Sequence, residues 1–85
     1  MTGRRIEDPG TSWASGAGPK AGEYWKVNGR FLALTPNGLL ADLAKHKVTE
    51  HDDGTITVSP SILVSGGGDG LQWHGHLING VWSNC

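Results

Sequence analysis

The sequence predicts a mainly β fold, a small antiparallel sheet of hairpins or a partly open barrel with at most one short helix. Three observations carry that expectation. Asn28-Gly29 and Asn79-Gly80 are strong two-residue hairpin signals, and a further turn centres on Asp52-Asp53-Gly54. The residues flanking these turns are rich in aromatic, β-branched and leucine side chains that alternate with polar ones. Helical spacing is confined to one short stretch, Leu39, Leu40, Leu43 and Ala44.

Residues 1–22 are rich in Gly, Ser, Thr and Pro, with Trp13 as their one aromatic. Such a stretch buries too little to offset its ordering entropy, so it reads as a flexible N-terminal arm. Trp13 is a candidate docking side chain within it. Residues 23–85 form the expected small antiparallel β domain. In its first hairpin, Glu23–Val27 and Arg30–Leu34 flank the Asn28-Gly29 turn, which sets Trp25 opposite Leu32. The expected core face is Trp25, Val27, Leu32 and Leu34. Thr35-Pro36-Asn37-Gly38 follows as a turn. Leu39 to Lys47 is expected as a short helix or an irregular connection, since helices of two turns are marginal without packing.

The second hairpin discriminates between loop lengths. A two-residue Asp53-Gly54 turn mixes polar and apolar residues on each face. A three-residue loop, Asp52-Asp53-Gly54, pairs Val48 with Val58, Thr49 with Thr57 and Glu50 with Ile56, gathering Val48, Ile56 and Val58 on one side. Pro60 cannot donate to a ladder and is expected to interrupt the strand, which resumes at Ser61–Val64. Gly66–Gly70 lacks the lysine and following helix of a phosphate loop and reads as a flexible connection. In the last ribbon, Asn79-Gly80 pairs Ile78 with Val81, Leu77 with Trp82, His76 with Ser83 and His74 with Cys85. One face then carries Trp73, Leu77 and Trp82, and the other His74, His76, Ile78, Val81, Ser83 and Cys85.

The chain has 85 residues, room for one domain near the lower size limit for independent folding, where homo-oligomerisation or a metal would add support. Seven Lys and Arg balance eight Asp and Glu, and the Arg4-Arg5 pair is followed at once by Glu7 and Asp8. No basic stripe for nucleic acid is expected from this pattern. No apolar run reaches bilayer length and no signal-peptide core is evident, so neither a membrane span nor secretion is expected, and a bacterial cytoplasm fits best. The single cysteine excludes an intramolecular disulfide.

His74, His76 and Cys85 are the candidate metal ligands, and zinc is the ion such ligands take. They supply at most three positions, so His46, His51 or a terminal carboxylate would have to complete a structural site. The same residues allow a Cys-His nucleophilic pair, but Cys85 stands where chain ends fray and no oxyanion donor is evident. In the simplest alternative His74 and Cys85 are cross-strand neighbours and no cofactor is held. His46 and His51 read as solvated. Trp73 and Trp82 read as core, and as part of an interaction patch with Trp13 if they were exposed.

Thr57-Val-Ser-Pro-Ser-Ile-Leu-Val64, then Trp73-His74-Gly75, Leu77, Asn79-Gly80-Val81-Trp82 and Cys85, resembles an uncharacterised domain-of-unknown-function family of small phage and prophage proteins. The resemblance covers roughly the C-terminal third. Longer relatives carry an upstream Cys-x-x-Cys pair, often a Cys beside the His, and a C-terminal extension, an arrangement that implies zinc. This chain has no Cys-x-x-Cys and has Trp at position 73. The resemblance implies a phage or prophage origin, placing the protein in the host cytoplasm or the virion, and brings no known activity. The expected function is that of a small non-enzymatic accessory protein acting by protein–protein interaction. A reduced zinc-binding domain is the alternative, and a Cys-His thiol enzyme a distant third.

Overall fold

A computed structural model of the chain describes residues 1–10, 18–66 and 71–85. The expectations for Trp13 and for the glycine-rich connection at 67–70 lie outside these residues.

Asn28 and Asn79 have φ of 50° and 49°, and Gly29 and Gly80 follow at 80° and 76°, the positive pair that matches a tight turn to the right-handed strand twist. The first of these turns joins β2 (Glu23–Val27) to β3 (Arg30–Leu34), and the second joins β7 (Gln72–Ile78) to β8 (Val81–Asn84). Between them run β4 (Leu40–Asp42), β5 (Lys47–Glu50) and β6 (Ile56–Ser65), and β1 (Arg4–Arg5) precedes them all. The strands form two four-stranded sheets, ordered β1-β2-β3-β4 and β5-β6-β7-β8, which do not close into a barrel. Every pairing is antiparallel except β1 with β2.

The register of the second hairpin is the expected one, with Val48 opposite Val58, Thr49 opposite Thr57 and Glu50 opposite Ile56. His51 N donates to Thr55 O at 2.8 Å and closes the three-residue loop, with Gly54 at φ 87°. Pro60 does not end its strand. β6 continues through a cis Ser59–Pro60 bond, and a register shift sets Ser59, Pro60 and Ser61 against the single residue His76 between the Val58–Leu77 and Ile62–Gly75 pairs. Ladder pairing resumes beyond a bulge because the residues on both sides are apolar and alternate correctly.

The core joins both sheets: Tyr24, Phe31, Ala33, Ala41 and Leu43 meet Ile56, Val58, Ile62, Trp73, Leu77 and Trp82. Trp73 and Trp82 meet edge to face, ring centroids 5.3 Å apart and planes at 85°. Burial pushes the Tyr24 hydroxyl above its ordinary pKa.

Three expectations are corrected. The first hairpin turns Tyr24, Phe31 and Ala33 toward the other sheet, while Trp25 and Leu34 are buried on its opposite face and Val27 and Leu32 are half-buried there. Both faces of this hairpin carry large apolar side chains, so alternation alone did not select the inner one. Residues 39–47 hold no helix. Leu40 pairs with Leu34 and Ala41 with Ala33, Leu43 N donates to Phe31 O at 3.0 Å, and a turn closed by His46 N to Leu43 O at 3.0 Å leads into β5. A sheet edge next to Leu34 outcompetes a two-turn helix that had nothing to pack on. The start of the expected arm is built into the sheets: Arg4 and Arg5 pair with Glu23 and Tyr24, Gly3 N donates to Gly80 O at 2.7 Å, and Trp82 N donates to Met1 O at 2.8 Å. This segment reaches the edges of both β2 and β8.

Candidate functional site

Alternation along β7 and β8 sorts the last ribbon as expected. Trp73, Gly75, Leu77 and Trp82 point inward and are buried, while His74, Ile78, Val81, Ser83 and Cys85 are exposed and His76 is half-buried. Trp73 and Trp82 are 7% and 2% exposed, so they are core residues, as a domain this small requires of its large apolar groups, and the condition for an interaction patch at these two positions, exposure, is not met. Trp82 Nε1 also donates to Gly22 O at 3.0 Å, which leaves its indole no free polar edge.

The backbone confirms the expected neighbours, with Cys85 N donating to His74 O at 3.0 Å. The side chains pair differently. Cys85 Sγ lies 3.5 Å from His76 Nε2, the diagonal neighbour, and His74 Nε2 lies 3.2 Å from Ser61 Oγ across on β6. Strand twist brings diagonal positions together, so His74, His76 and Cys85 share one face but separate into a His76–Cys85 pair and a Ser61–His74 pair. Among the described residues no group of three or more His, Cys, Asp or Glu side chains is placed to hold a metal.

The other histidines are held by the framework and are not simply solvated. His51 Nε2 meets Thr57 Oγ1 at 2.7 Å. His46 Nε2 lies 3.3 Å from Ser61 O, a carbonyl that only accepts, so Nε2 bears the proton. His46 Nδ1 is buried and finds no hydrogen-bond partner among the described residues. Two clefts flank this imidazole, one of about 180 Å³ beside Leu40, Ile62 and Leu63, and one of about 220 Å³ above Phe31, Lys26 and Glu50. Neither contains His76 or Cys85.

Glu50 bridges the sheets at the second cleft, accepting from Lys26 Nζ at 3.0 Å and Arg5 Nη1 at 3.1 Å. Those two hydrogen bonds hold its carboxyl below the ordinary glutamate value. Both cations also lie over the Phe31 ring, 5.1 Å and 5.8 Å from its centroid.

Comparison with protein-family models, curated proteins and solved structures finds no match. The outer face of β6, β7 and β8 exposes Leu63, Ile78 and Val81 by 61%, 49% and 46%, and Met1, Leu40 and Leu71 are the other large apolar residues exposed among the described residues. Sequence reasoning missed Leu63, whose side chain was expected in an apolar strand but not on its outer side. It also passed over the charge distribution: residues 54–85 contain one charged residue, Asp69, while the other fourteen precede them. Counting charges by segment would have found this face, because β6, β7 and β8 contain none. Among the described residues no helix is long and apolar enough to cross a membrane.

Proposed function

We propose that this chain is a small non-enzymatic accessory domain, phage- or prophage-encoded, that acts by protein–protein contact through the outer face of β6, β7 and β8. The observation that carries this reading is the exposure of Leu63, Ile78 and Val81 on three adjacent strands that hold no charge. A solvated sheet face ordinarily mixes charged side chains among its apolar ones, and depletion of charge around apolar groups is the compositional mark of an interface centre. Cys85 lies on this open face and outside both clefts, an arrangement that favours contact over enclosure of a substrate. The phage setting rests on the motif resemblance of the C-terminal third.

The test is affinity capture from infected host cells, comparing the wild-type chain with an Ile78→Lys, Val81→Glu double variant whose circular dichroism and melt are unchanged. The expected result is a protein retained by the wild type and lost by the variant. Capture of the same set by both would overturn the assignment of this face.

A further inference from the structure

We infer that the open edge of β6 at Leu63 and Ser65, which borders a cleft shared with the open edge of β4, is a docking site for an extended, uncharged segment of a partner protein that adds to the sheet as a strand. The site is the rim of β6 and not its outer face, so it goes beyond the contact surface proposed above. Backbone alternation is the starting point. Gly66 N donates to Leu71 O at 3.1 Å, and with Val64 opposite Trp73 and Ile62 opposite Gly75, the backbone groups of residues 62, 64 and 66 are the ones directed at β7. Leu63 and Ser65 therefore aim their N–H and C=O groups to the other side. As far as Ser59 that side is covered by β5, whose first residue, Lys47, is the partner of Ser59. From Ser61 onward no strand covers it, and the Ser61 carbonyl is met at 3.3 Å by the ring of His46 instead of by backbone.

β4 is open in the same way. Leu43 N donates to Phe31 O at 3.0 Å and Thr35 N to Leu39 O at 2.9 Å, so Ala41 is bonded to Ala33 between them, and Leu40 and Asp42 turn their backbone groups away from β3. Among the described residues no backbone partner meets these groups of Leu40, Asp42, Leu63 and Ser65. The turn that His46 N closes on Leu43 O is the cause: the residues that precede β5 leave the line of β6 there and join β3 as β4 in the other sheet. Leu40, Asp42, Leu63 and Ser65 all line one cleft of about 180 Å³. Pockets for small molecules ordinarily enclose about 300–1,000 Å³, so this cleft suits the side chains of a segment lying along it better than a whole small ligand.

The chemistry of the cleft selects its occupant. Donors and acceptors that recur at every second residue are complementary to extended backbone, which carries the same repeat. Leu40 and Leu63 border the cleft from its two strands, 48% and 61% exposed, and Ser61–Ser65 holds no charge. Sheet edges are ordinarily guarded against added strands by lysine, proline or a bulge. Here Pro60 and the register shift precede the open stretch and leave Leu63 and Ser65 unguarded. Asp42, drawn toward Arg30 at 3.8 Å, is the one carboxylate in the cleft wall. The segment that fits is extended, free of proline and of acidic residues, and sets β-branched or other apolar side chains against Leu40 and Leu63. It pairs with Leu63 and Ser65, continues the line of β5 and has β4 as its opposite wall.

The experiment is an NMR titration of the whole chain with a capped peptide, acetyl-Lys-Thr-Val-Thr-Val-Thr-Lys-amide, and with the same peptide N-methylated at its three central amides, which keeps the side chains and removes the donors. The expected result is that the amides of Leu63 and Ser65 exchange fast in the free protein, shift on addition of the first peptide and become protected, while the methylated peptide leaves them unchanged. Ser65→Pro, which removes an N–H that the fold does not use, should weaken binding about tenfold or more without lowering the melt. The wild-type exchange data decide the matter alone if that variant does not fold. Slow exchange at Leu63 and Ser65 before any peptide is added, equal binding of the methylated peptide, or no shift at millimolar peptide would each overturn the inference. The Ile78→Lys, Val81→Glu variant separates the two sites: it should bind the peptide as the wild type does, whatever it does to capture of a host protein. Loss of peptide binding in that variant would move the peptide to the outer face and overturn the edge site.

Discussion

Gly75 shows how one residue can be fixed by its surroundings. A Cβ at this position would run into the Ser83 carbonyl oxygen on β8 and into the indole of Trp73, which folds back over the glycine on the inner face. Relief would have to come from the backbone of the neighbouring strand or from a packed tryptophan, and overpacking of this kind costs about 3 kcal/mol. Gly75→Ala should lower the urea midpoint accordingly, whereas Cys85→Ser, on the exposed face, should change stability by less than about 0.5 kcal/mol. Equal midpoints for Gly75→Ala and the wild type would show that the Trp73 ring is free to move. Nothing in the sequence marks Gly75, because its constraint comes from a rotamer of Trp73 and a carbonyl on another strand. The pairing of Cys85 with His76 was hidden for a related reason: register says which residues are opposite, and twist decides which side chains touch.

At the scale of elements, the hairpins were legible because each is specified within a dozen residues by turn chemistry and alternation. Val48 opposite Val58 and Leu77 opposite Trp82 both follow from counting outward from a turn. β1 was not legible. It is two residues long, has no period, and pairs in parallel with a strand that begins at Glu23. β4 was misjudged because Leu39, Leu40, Leu43 and Ala44 satisfy a helical spacing, while the pattern that prevailed, exposed Leu40, buried Ala41, exposed Asp42 and buried Leu43, is a period of two that needs β3 beside it. The segment before β2 covers one edge of each sheet, so deletion of residues 1–6 should expose unpaired backbone on both β2 and β8. The shortened chain is expected to melt at lower temperature and to self-associate through its bare strand edges, as read by calorimetry and sedimentation. An unchanged melt would mean that the β2 and β8 edges need no cover.

For the whole molecule, the link between sheets is partly ionic and therefore depends on pH. Glu50 on β5 holds Arg5 of β1 and Lys26 of β2, and its folded pKa lies below the ordinary 4.5. A carboxyl lowered by folding stabilises the native state fully above its unfolded value, and that contribution is lost as pH falls through the folded value. Asp53, lowered by the Thr55 hydroxyl and amide, acts in the same direction. The melting temperature of the wild type should therefore fall faster below pH 4.5 than that of Glu50→Gln, by a margin that shrinks in high salt because the pair is exposed. Parallel acid limbs would remove Glu50 from this role. The assembly of two sheets was not legible in advance, since hairpin signals are local and the choice of which apolar faces meet is made between segments far apart in the chain. The face that carries His74, His76 and Cys85 was legible; its lack of charge was present in the sequence and emerges only when β6, β7 and β8 are set side by side. The Met1 ammonium donates to Trp82 O at 3.1 Å across 81 positions of sequence. During synthesis on the ribosome the pairing of Arg4 and Arg5 with β2 can form early, whereas the bonds of Met1 and Gly3 to Trp82 and Gly80 must wait until β8 has been made, so the same short segment closes one sheet edge long before the other.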